Sequence, residues 1–310
     1  MRFLTFPKGA FGEPAADAGD DWVATEKVHG AQVVVGVDES GVNVGKRKAW
    51  LRSDEPFFGW QFLRPVLELA GRNVYAALGG AGEVWLYGEL FGGGYPHAAV
   101  SPVPGLVPVQ TGIWYAPGLA YAVFDIVHAP PGSEPVFLAY EKVRGLVQGA
   151  ELLTVPVLGR GRPQELERLP VRFPTLVPAL LGLPPLADNY AEGYVLKPAR
   201  EAPFASRPVV KRKIPEFSEQ RFDESTAFEP NAPLTREQLF LIADGLMNHA
   251  RLASARSKVG TDPRLVAEEA VLDTMIDLHD LFPRRVDGLA PEEERELQAR
   301  LEAKALQLAT

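Results

Sequence analysis

Thr25-Glu26-Lys27-Val28-His29-Gly30 decides the reading of this chain, because four later stretches share one explanation if Lys27 is a nucleophile. Those stretches are Leu86-Tyr87-Gly88-Glu89-Leu90-Phe91-Gly92-Gly93, Val123-Phe124-Asp125-Ile126, Glu192-Gly193-Tyr194-Val195-Leu196-Lys197 and Lys211-Arg212-Lys213. A lone lysine at a strand end is ordinarily a solvated charge, and a phenylalanine in an apolar run such as Phe124 is ordinarily core. Only the ordered set of stretches points to that chemistry.

A lysine amine is protonated at neutral pH, so it attacks phosphorus only where other cations or desolvation lower its pKa. Lys211 and Lys213 are candidate cations. They alternate along an expected strand, which puts both side chains on one face and aims them at the same cavity. They are equally suited to holding nucleotide phosphates. A carboxylate such as Glu192 suits the magnesium that neutralises a leaving group, and Phe124 offers a flat face to a base.

Short β-branched and aromatic runs bounded by Gly, Pro or Asp read as strands: Val33-Val34-Val35, Val84 to Tyr87, Tyr121 to Phe124, Tyr194 to Leu196 and Pro208 to Val210. Apolar residues at three- and four-residue spacing make Trp60 to Ala70 and Leu138 to Gln148 helical. This is α+β without regular βαβ alternation. Phe222 to Leu234 has linker composition. Beyond it, Thr235-Arg236-Glu237-Gln238 has capping-box spacing, and Thr261-Asp262-Pro263 and Ala290-Pro291-Glu292 place Pro and acid at helix starts. Three helices are expected, the first running to about Lys258. The division expected is residues 1–225 for a nucleotide-handling domain and 235–310 for a small all-α domain.

At 310 residues with 46% hydrophobic content, the chain can bury a substantial core. No unbroken apolar stretch reaches the roughly 20 residues of a membrane span, and no signal core follows a basic N-terminus, so a soluble cytoplasmic protein is expected. The absence of cysteine excludes disulfides, thiolate zinc sites and cysteine nucleophiles. A formal charge of −8 argues against indiscriminate coating of nucleic acid. Yet Lys46-Arg47-Lys48, Arg52 and the span Lys197 to Lys213 are locally basic, which leaves room for a basic groove.

Taken together the motifs resemble the covalent nucleotidyltransferase superfamily, and within it the RNA ligase 2 family of the phage T4 enzyme and the trypanosome RNA-editing ligases. The marks are His29 in Lys-x-His-Gly, Gly45-Lys46-Arg47, Phe57-Phe58-Gly59, Gly88 to Gly93, Tyr95-Pro96-His97, Val109-Gln110, Phe124-Asp125-Ile126, Glu192 to Lys197, and Lys211-x-Lys213 followed by Phe217-Ser218-Glu219. The Gly92 to Tyr115 insertion, with Gly112-Ile113-Trp114-Tyr115, is similar to the editing ligases. The resemblance implies an α+β nucleotidyltransferase (ATP-grasp-like ligase adenylation) domain with antiparallel-rich sheets.

Carried over by position, the resemblance implies that Lys27 attacks the α-phosphate of ATP to form a lysyl-adenylate and that His29 assists later sealing. Arg47 would contact the nucleotide. The backbone around Glu26 would read the adenine edge, Phe124 would stack on adenine, and Glu89 would hold the ribose side and help order the metal site. Glu192 and Lys197 would act at the metal and α-phosphate, while Lys211 and Lys213 contact phosphates and activate the lysine. The implied cofactors are ATP and Mg2+ or Mn2+. The implied partner is nicked duplex RNA or an RNA/DNA hybrid, with no membrane and a monomeric enzyme. Where the family follows Lys-x-His-Gly with Thr-Asn, this chain has Ala31-Gln32, which keeps the amide and moves it by one methylene. Arg251, Arg256 and Lys258 are candidates for contacts to the nucleic-acid backbone. Phe57-Phe58 admits two explanations, core anchors or an exposed nucleic-acid contact. A non-catalytic RNA-end or nick-binding protein on a ligase scaffold is the alternative; it predicts loss of Lys27, Glu192, Lys211 or Lys213, all of which are present.

Overall fold

The computed structural model describes residues 1–7, 19–218, 228–230 and 232–309. The chain divides into two compact units, one of Met1–Trp50, Ala70–Ser101 and Pro108–Thr226, the other of Leu51–Leu69, Pro102–Val107 and Ala227–Thr310. Glu219 and most of the expected linker Phe222 to Leu234 lie outside the described residues.

The first unit holds the strands β1 (Trp22–Glu26), β2 (Ala31–Asp38), β3 (Gly41–Lys46), β4 (Ala49–Trp50), β5 (Glu83–Gly94), β6 (Ala116–Ala129), β7 (Val136–Phe137), β8 (Leu153–Thr154), β9 (Val157–Gly161), β10 (Gly193–Pro198), β11 (Ala202–Pro203) and β12 (Val210–Lys213). They form two sheets, ordered β12-β10-β1-β9 and β11-β7-β6-β5-β2-β3-β4, with β8 paired to β6. Among the described residues every pairing is antiparallel except β6 with β8. The last strand starts at Val210 rather than Pro208, since proline has no amide to give a ladder.

Register decides which side chains reach the cleft. Opposed residues in antiparallel strands point to the same face, and Trp22, Ala24 and Glu26 oppose Pro198, Leu196 and Tyr194. That face carries the core cluster of Trp22, Ala24, Leu166, Tyr194, Leu196 and Val210. The other face carries Val23, Thr25, Val195 and Lys197, and β12 adds Lys211 opposite Val195 and Lys213 opposite Gly193. The expectation that Lys211 and Lys213 share a face holds.

In the other sheet β5 and β6 pair along nearly their whole length, but the register jumps from Tyr87 opposite Asp125 to Gly88 opposite Val123. Phe124 is the extra residue of a β-bulge. A bulge re-aims side chains and leaves its own backbone groups out of the ladder, and both consequences appear at the site below.

The helices of the first unit are short apart from α1 (Arg64–Ala77), which both units share, and α2 (Tyr140–Gly149); α3 (Pro163–Leu166), α4 (Val177–Leu180) and α5 (Pro215–Ser218) are single turns. The second unit contains α6 (Arg236–Leu246), α7 (His249–Val259), α8 (Pro263–Leu281), α9 (Pro283–Asp287) and α10 (Pro291–Ala309). Five helices stand among the described residues where three were expected. The first is split because Asn248 accepts from the Arg251 amide at 3.0 Å and starts a new helix; Pro283 starts another. The expected capping box is present, Thr235 Oγ1 accepting from Gln238 N at 3.2 Å and Gln238 Oε1 from Thr235 N at 2.8 Å.

This unit is held by an apolar core that includes Phe228, Leu239, Phe240, Leu252, Leu278, Phe282, Leu297 and Leu301. Within it Asp277, 1% exposed, receives Arg64 at 2.5 Å and also Arg251. Arg251 is 4% exposed and engaged, so it offers nothing to a phosphate, contrary to the expectation for it. Lys258 likewise binds Glu269 and Asp273 of α8 at 2.9 and 2.7 Å. Phe57 and Phe58 form a half-buried edge-to-face pair with centroids 4.8 Å apart, and Phe58 takes a left-handed φ of 53°.

Candidate active site

Lys27 opens the four-residue loop that carries the chain from β1 to β2. Three amides of this loop have three different acceptors: Lys27 N donates to Gly193 O at 2.9 Å, His29 N to the Tyr115 hydroxyl at 2.8 Å, and Gly30 N to the Glu89 carboxylate. Gly30 is required because a Cβ there would collide with the carbonyl of Leu90. Gly193 is required twice over, by a φ of 139° and by the carbonyl of Arg212, which a Cβ would strike.

The centre of the site is the Glu192 carboxylate, 2% exposed. Lys27 Nζ donates to Oε2 at 2.5 Å, Lys213 Nζ sits 2.8 Å from Oε1, and His29 Nδ1 is 3.5 Å from Oε2. Burial pushes this carboxyl upward, but Lys27, His29 and Lys213 outweigh it and hold it well below the usual carboxylate range. The fold thus brings three basic groups from separate segments onto one acid. The His29 ring is steadied edge-on by Phe217, with centroids 4.8 Å apart.

Lys211 completes the cluster. Its pKa is lowered by burial first and then by the charges of Lys27, Arg47 and Lys213, so these four cations share one region. Arg47 reaches it from the exposed turn between β3 and β4. Glu89, recessed in the cleft on β5, is pushed up to about 7, mainly by desolvation, with Lys27 lowering it and Glu192 raising it. Gln32 lies directly opposite Glu89 in the β2/β5 register, so the departure at Ala31-Gln32 puts its amide on the Glu89 face of the sheet.

The bulge at Phe124 defines the other wall. Phe124 remains partly exposed, with Phe6 packed edge-on at 5.2 Å. Its carbonyl, freed from the ladder, accepts from Lys197 Nζ. Lys197 also bonds Asp125 Oδ1 at 2.9 Å, and Arg207 grips both Asp125 oxygens at 2.7 and 2.6 Å while its guanidinium lies 3.4 Å over the Phe137 ring. The resemblance assigns Lys197 to the metal and α-phosphate. The structure places it in this buried ion cluster, where its amine donates to Asp125 and to the Phe124 backbone. Burial raises the Asp125 carboxyl, but Arg207 and Lys197 more than offset this and keep it low.

Glu26 points to the face opposite Lys27. Its carboxylate takes the Thr175 hydroxyl and, at 2.9 Å, the amide of Leu176, and desolvation pushes it up to about 7 against those two bonds. Beside this segment, Asn189 mimics a strand partner for Trp114, with bonds of 2.9 and 2.7 Å to its amide and carbonyl. Tyr115, Thr175, Asn189 and Arg207 were missed from sequence. Tyr115 lay in a quoted run without an assigned task; the others stand in segments with no local signal, and only the tertiary structure gives them partners.

Two carboxylates, Glu192 and Glu89, lie close enough to interact at this site, and the described residues contain no cluster of three or more His, Cys, Asp or Glu side chains able to hold a metal alone. Such a donor set suits magnesium, which binds through one or two carboxylates and otherwise through substrate phosphates and water. No helix among the described residues is long and apolar enough to cross a membrane.

These features agree with comparisons to known proteins. A family model for RNA ligase matches residues 20–213. RNA-editing ligase 2, mitochondrial, of Trypanosoma brucei brucei is 29% identical over 79% of this chain and 71% of its own length, and RNA-editing ligase 1, mitochondrial, of Trypanosoma brucei brucei is 27% identical over 88% and 72%. Two mutant forms of Naegleria gruberi RNA ligase, solved with ATP and Mn and with AMP and Mn, are 16% identical, with TM-scores of 0.45 and 0.47; the match covers 70% of this chain and 59% of theirs. This chain therefore spans under two thirds of those Naegleria chains. With a match over residues 20–213, more than half of its length, the chain belongs to the RNA ligase family.

Proposed function

We propose that this protein is an ATP-dependent RNA ligase that joins a 3′-hydroxyl to a 5′-phosphate at nicks in duplex RNA or in RNA-containing hybrids. The observation that carries the reading is the convergence of Lys27, His29 and Lys213 on Glu192, with Lys211 and Arg47 beside them. A row of cations around an amine is suited to a triphosphate, and catalysis of phosphoryl transfer is mostly positioning and charge neutralisation.

In the first step Lys27 Nζ, having released a proton to water to become the neutral amine, forms a bond to the α-phosphorus and sheds a second proton, while the bond to the bridging oxygen breaks and pyrophosphate leaves. The amine must first part from Glu192, to which it donates. Arg47, Lys211 and Lys213 take the phosphate charge, Phe124 stacks on the base, and Glu89 holds the ribose side. Glu192 and Glu89 would hold magnesium or manganese together with the phosphates, and the ion would supply further neutralisation of the departing charge. Lys197 contributes by fixing Phe124. AMP then passes from Lys27 to the 5′-phosphate, and with His29 assisting, the 3′-hydroxyl attacks that activated end and AMP leaves.

The chemistry falls to residues 1–225, and engagement of the duplex to residues 235–310, in a monomeric enzyme. The test is joining of a 5′-labelled nicked RNA duplex with ATP and magnesium, compared with nicked DNA and hybrid duplexes. Sealing of RNA-containing nicks by the wild type, and none by Lys27→Ala, is expected. Equal binding of nicks by both proteins without joining by either would overturn the proposal in favour of a binding role.

A further inference from the structure

Tyr115 closes the segment between β5 and β6 and is 2% exposed. Its ring packs edge-on against Phe91 with centroids 5.2 Å apart, inside a core cluster that also contains Val28 and Phe217. Its hydroxyl accepts from His29 N at 2.8 Å. The carboxylates of Glu26, Glu192 and Glu89 all act on the same phenol and, after burial, help keep it neutral, so it stays a hydrogen-bonding group.

The anchoring of the loop separates its two functional residues. Lys27 is fixed by the strand it follows and by its amide bond to Gly193, and its side chain by Glu192. None of these is a hydrogen bond to Tyr115. The amide of His29, two residues on, is held by a side-chain hydroxyl from a distant part of the chain. A hydroxyl fixed by a buried ring sets where the His29 backbone lies, and so where its imidazole stands against Glu192 and Phe217.

We propose that Tyr115 is a positioning residue for His29, and that through it the tyrosine hydroxyl governs the sealing step while leaving lysyl-adenylate formation alone. The inference rests on the ligase reading above and on His29 serving the later step. A displacement of about 1 Å in a catalytic group costs on the order of 10²-fold in rate. Losing one hydrogen bond while the ring keeps its place should allow a smaller shift, and an effect of about tenfold is expected.

The test compares wild type, Tyr115→Phe, His29→Ala and the double variant in two assays. One measures label transferred from α-labelled ATP to the protein; the other measures single-turnover joining of a nicked RNA duplex whose 5′ end is already adenylylated. Expected are label formation by Tyr115→Phe within about twofold of wild type, joining slowed about tenfold, and a double variant no slower than His29→Ala, as for two residues acting through one path. As a control, Phe91→Leu should lower the melting temperature without selecting one step. Wild-type joining by Tyr115→Phe, equal loss in both assays, additive loss in the double variant, or failure of Tyr115→Phe to fold would each overturn the proposal. Absence of both label and joining in the wild type would instead overturn the ligase reading, and this inference would fall with it.

Discussion

Lys27 and Glu192 lie 165 positions apart in sequence, yet Lys27 Nζ meets Glu192 Oε2 at 2.5 Å. The pair joins the end of β1 to the residue just before β10, the strand that β1 pairs with. The same carboxylate also receives Lys213, so one acid fixes the spacing of two amines that would otherwise repel each other.

Removing that acid should cost both chemistry and acid resistance. Glu192→Gln is expected to lower lysyl-adenylate formation at least about 100-fold, in line with loss of a preorganised charged group. The wild-type carboxyl titrates below its unfolded value. Its contribution to stability is therefore present above about pH 4.5 and lost as pH falls through the folded pKa. Denaturation between pH 3 and 6 should show a steeper acid loss for the wild type than for Glu192→Gln.

Glu26 should produce the opposite slope. Its folded pKa is raised to about 7 from 4.5, so between those values the folded protein holds more protons than the unfolded chain and stability falls as pH rises. The shift corresponds to about 3 kcal/mol by pH 8. Glu26→Gln removes this slope and leaves the similar contribution of Glu89. Urea denaturation from pH 5 to 8 checks it, and parallel profiles for the two proteins would be inconsistent with it.

Arg207 should matter through its geometry rather than its charge. It grips both Asp125 oxygens and covers Phe137, and a lysine can reproduce neither the fork nor the flat contact. Arg207→Ala is expected to destabilise by about 3–5 kcal/mol, as for breaking a buried pair. Arg207→Lys should fold better yet weaken ATP binding about tenfold by loosening the Phe124 bulge. Calorimetric titration of the folded variant with ATP measures this.

Arg251 should behave as a structural residue of the helical unit. Arg251→Ala leaves Asp277 with Arg64 alone, at a cost of about 3 kcal/mol. The salt dependence of RNA binding should stay unchanged, whereas loss of a true phosphate contact reduces its slope by about one.

The site was legible where its chemistry is compressed into short motifs. Lys27, His29, Glu192, Lys211 and Lys213 could be named because the ordered set of short motifs resembles one family, and strand alternation put Lys211 and Lys213 on one face. Lys197 was harder. Its motif shows that it lies on the cleft face, but not that Asp125 and a bulged carbonyl capture it, since a bulge depends on the register of two strands far apart in sequence. Arg251 failed for a related reason: a basic residue near a helix looks solvated until its partner Asp277 is known, 26 residues on. Helix starts were read well from Thr235 and Asp262. The break at Asn248 was not, because its neighbours keep the apolar spacing of a continuing helix.

The most direct test of the central claim is covalent labelling. Protein stripped of bound AMP with pyrophosphate is incubated with α-labelled ATP and magnesium, without nucleic acid, beside a Lys27→Ala variant treated identically. Label that survives denaturation on the wild type alone is the predicted result. Its absence from the wild type, or its equal presence on the variant, would contradict the account.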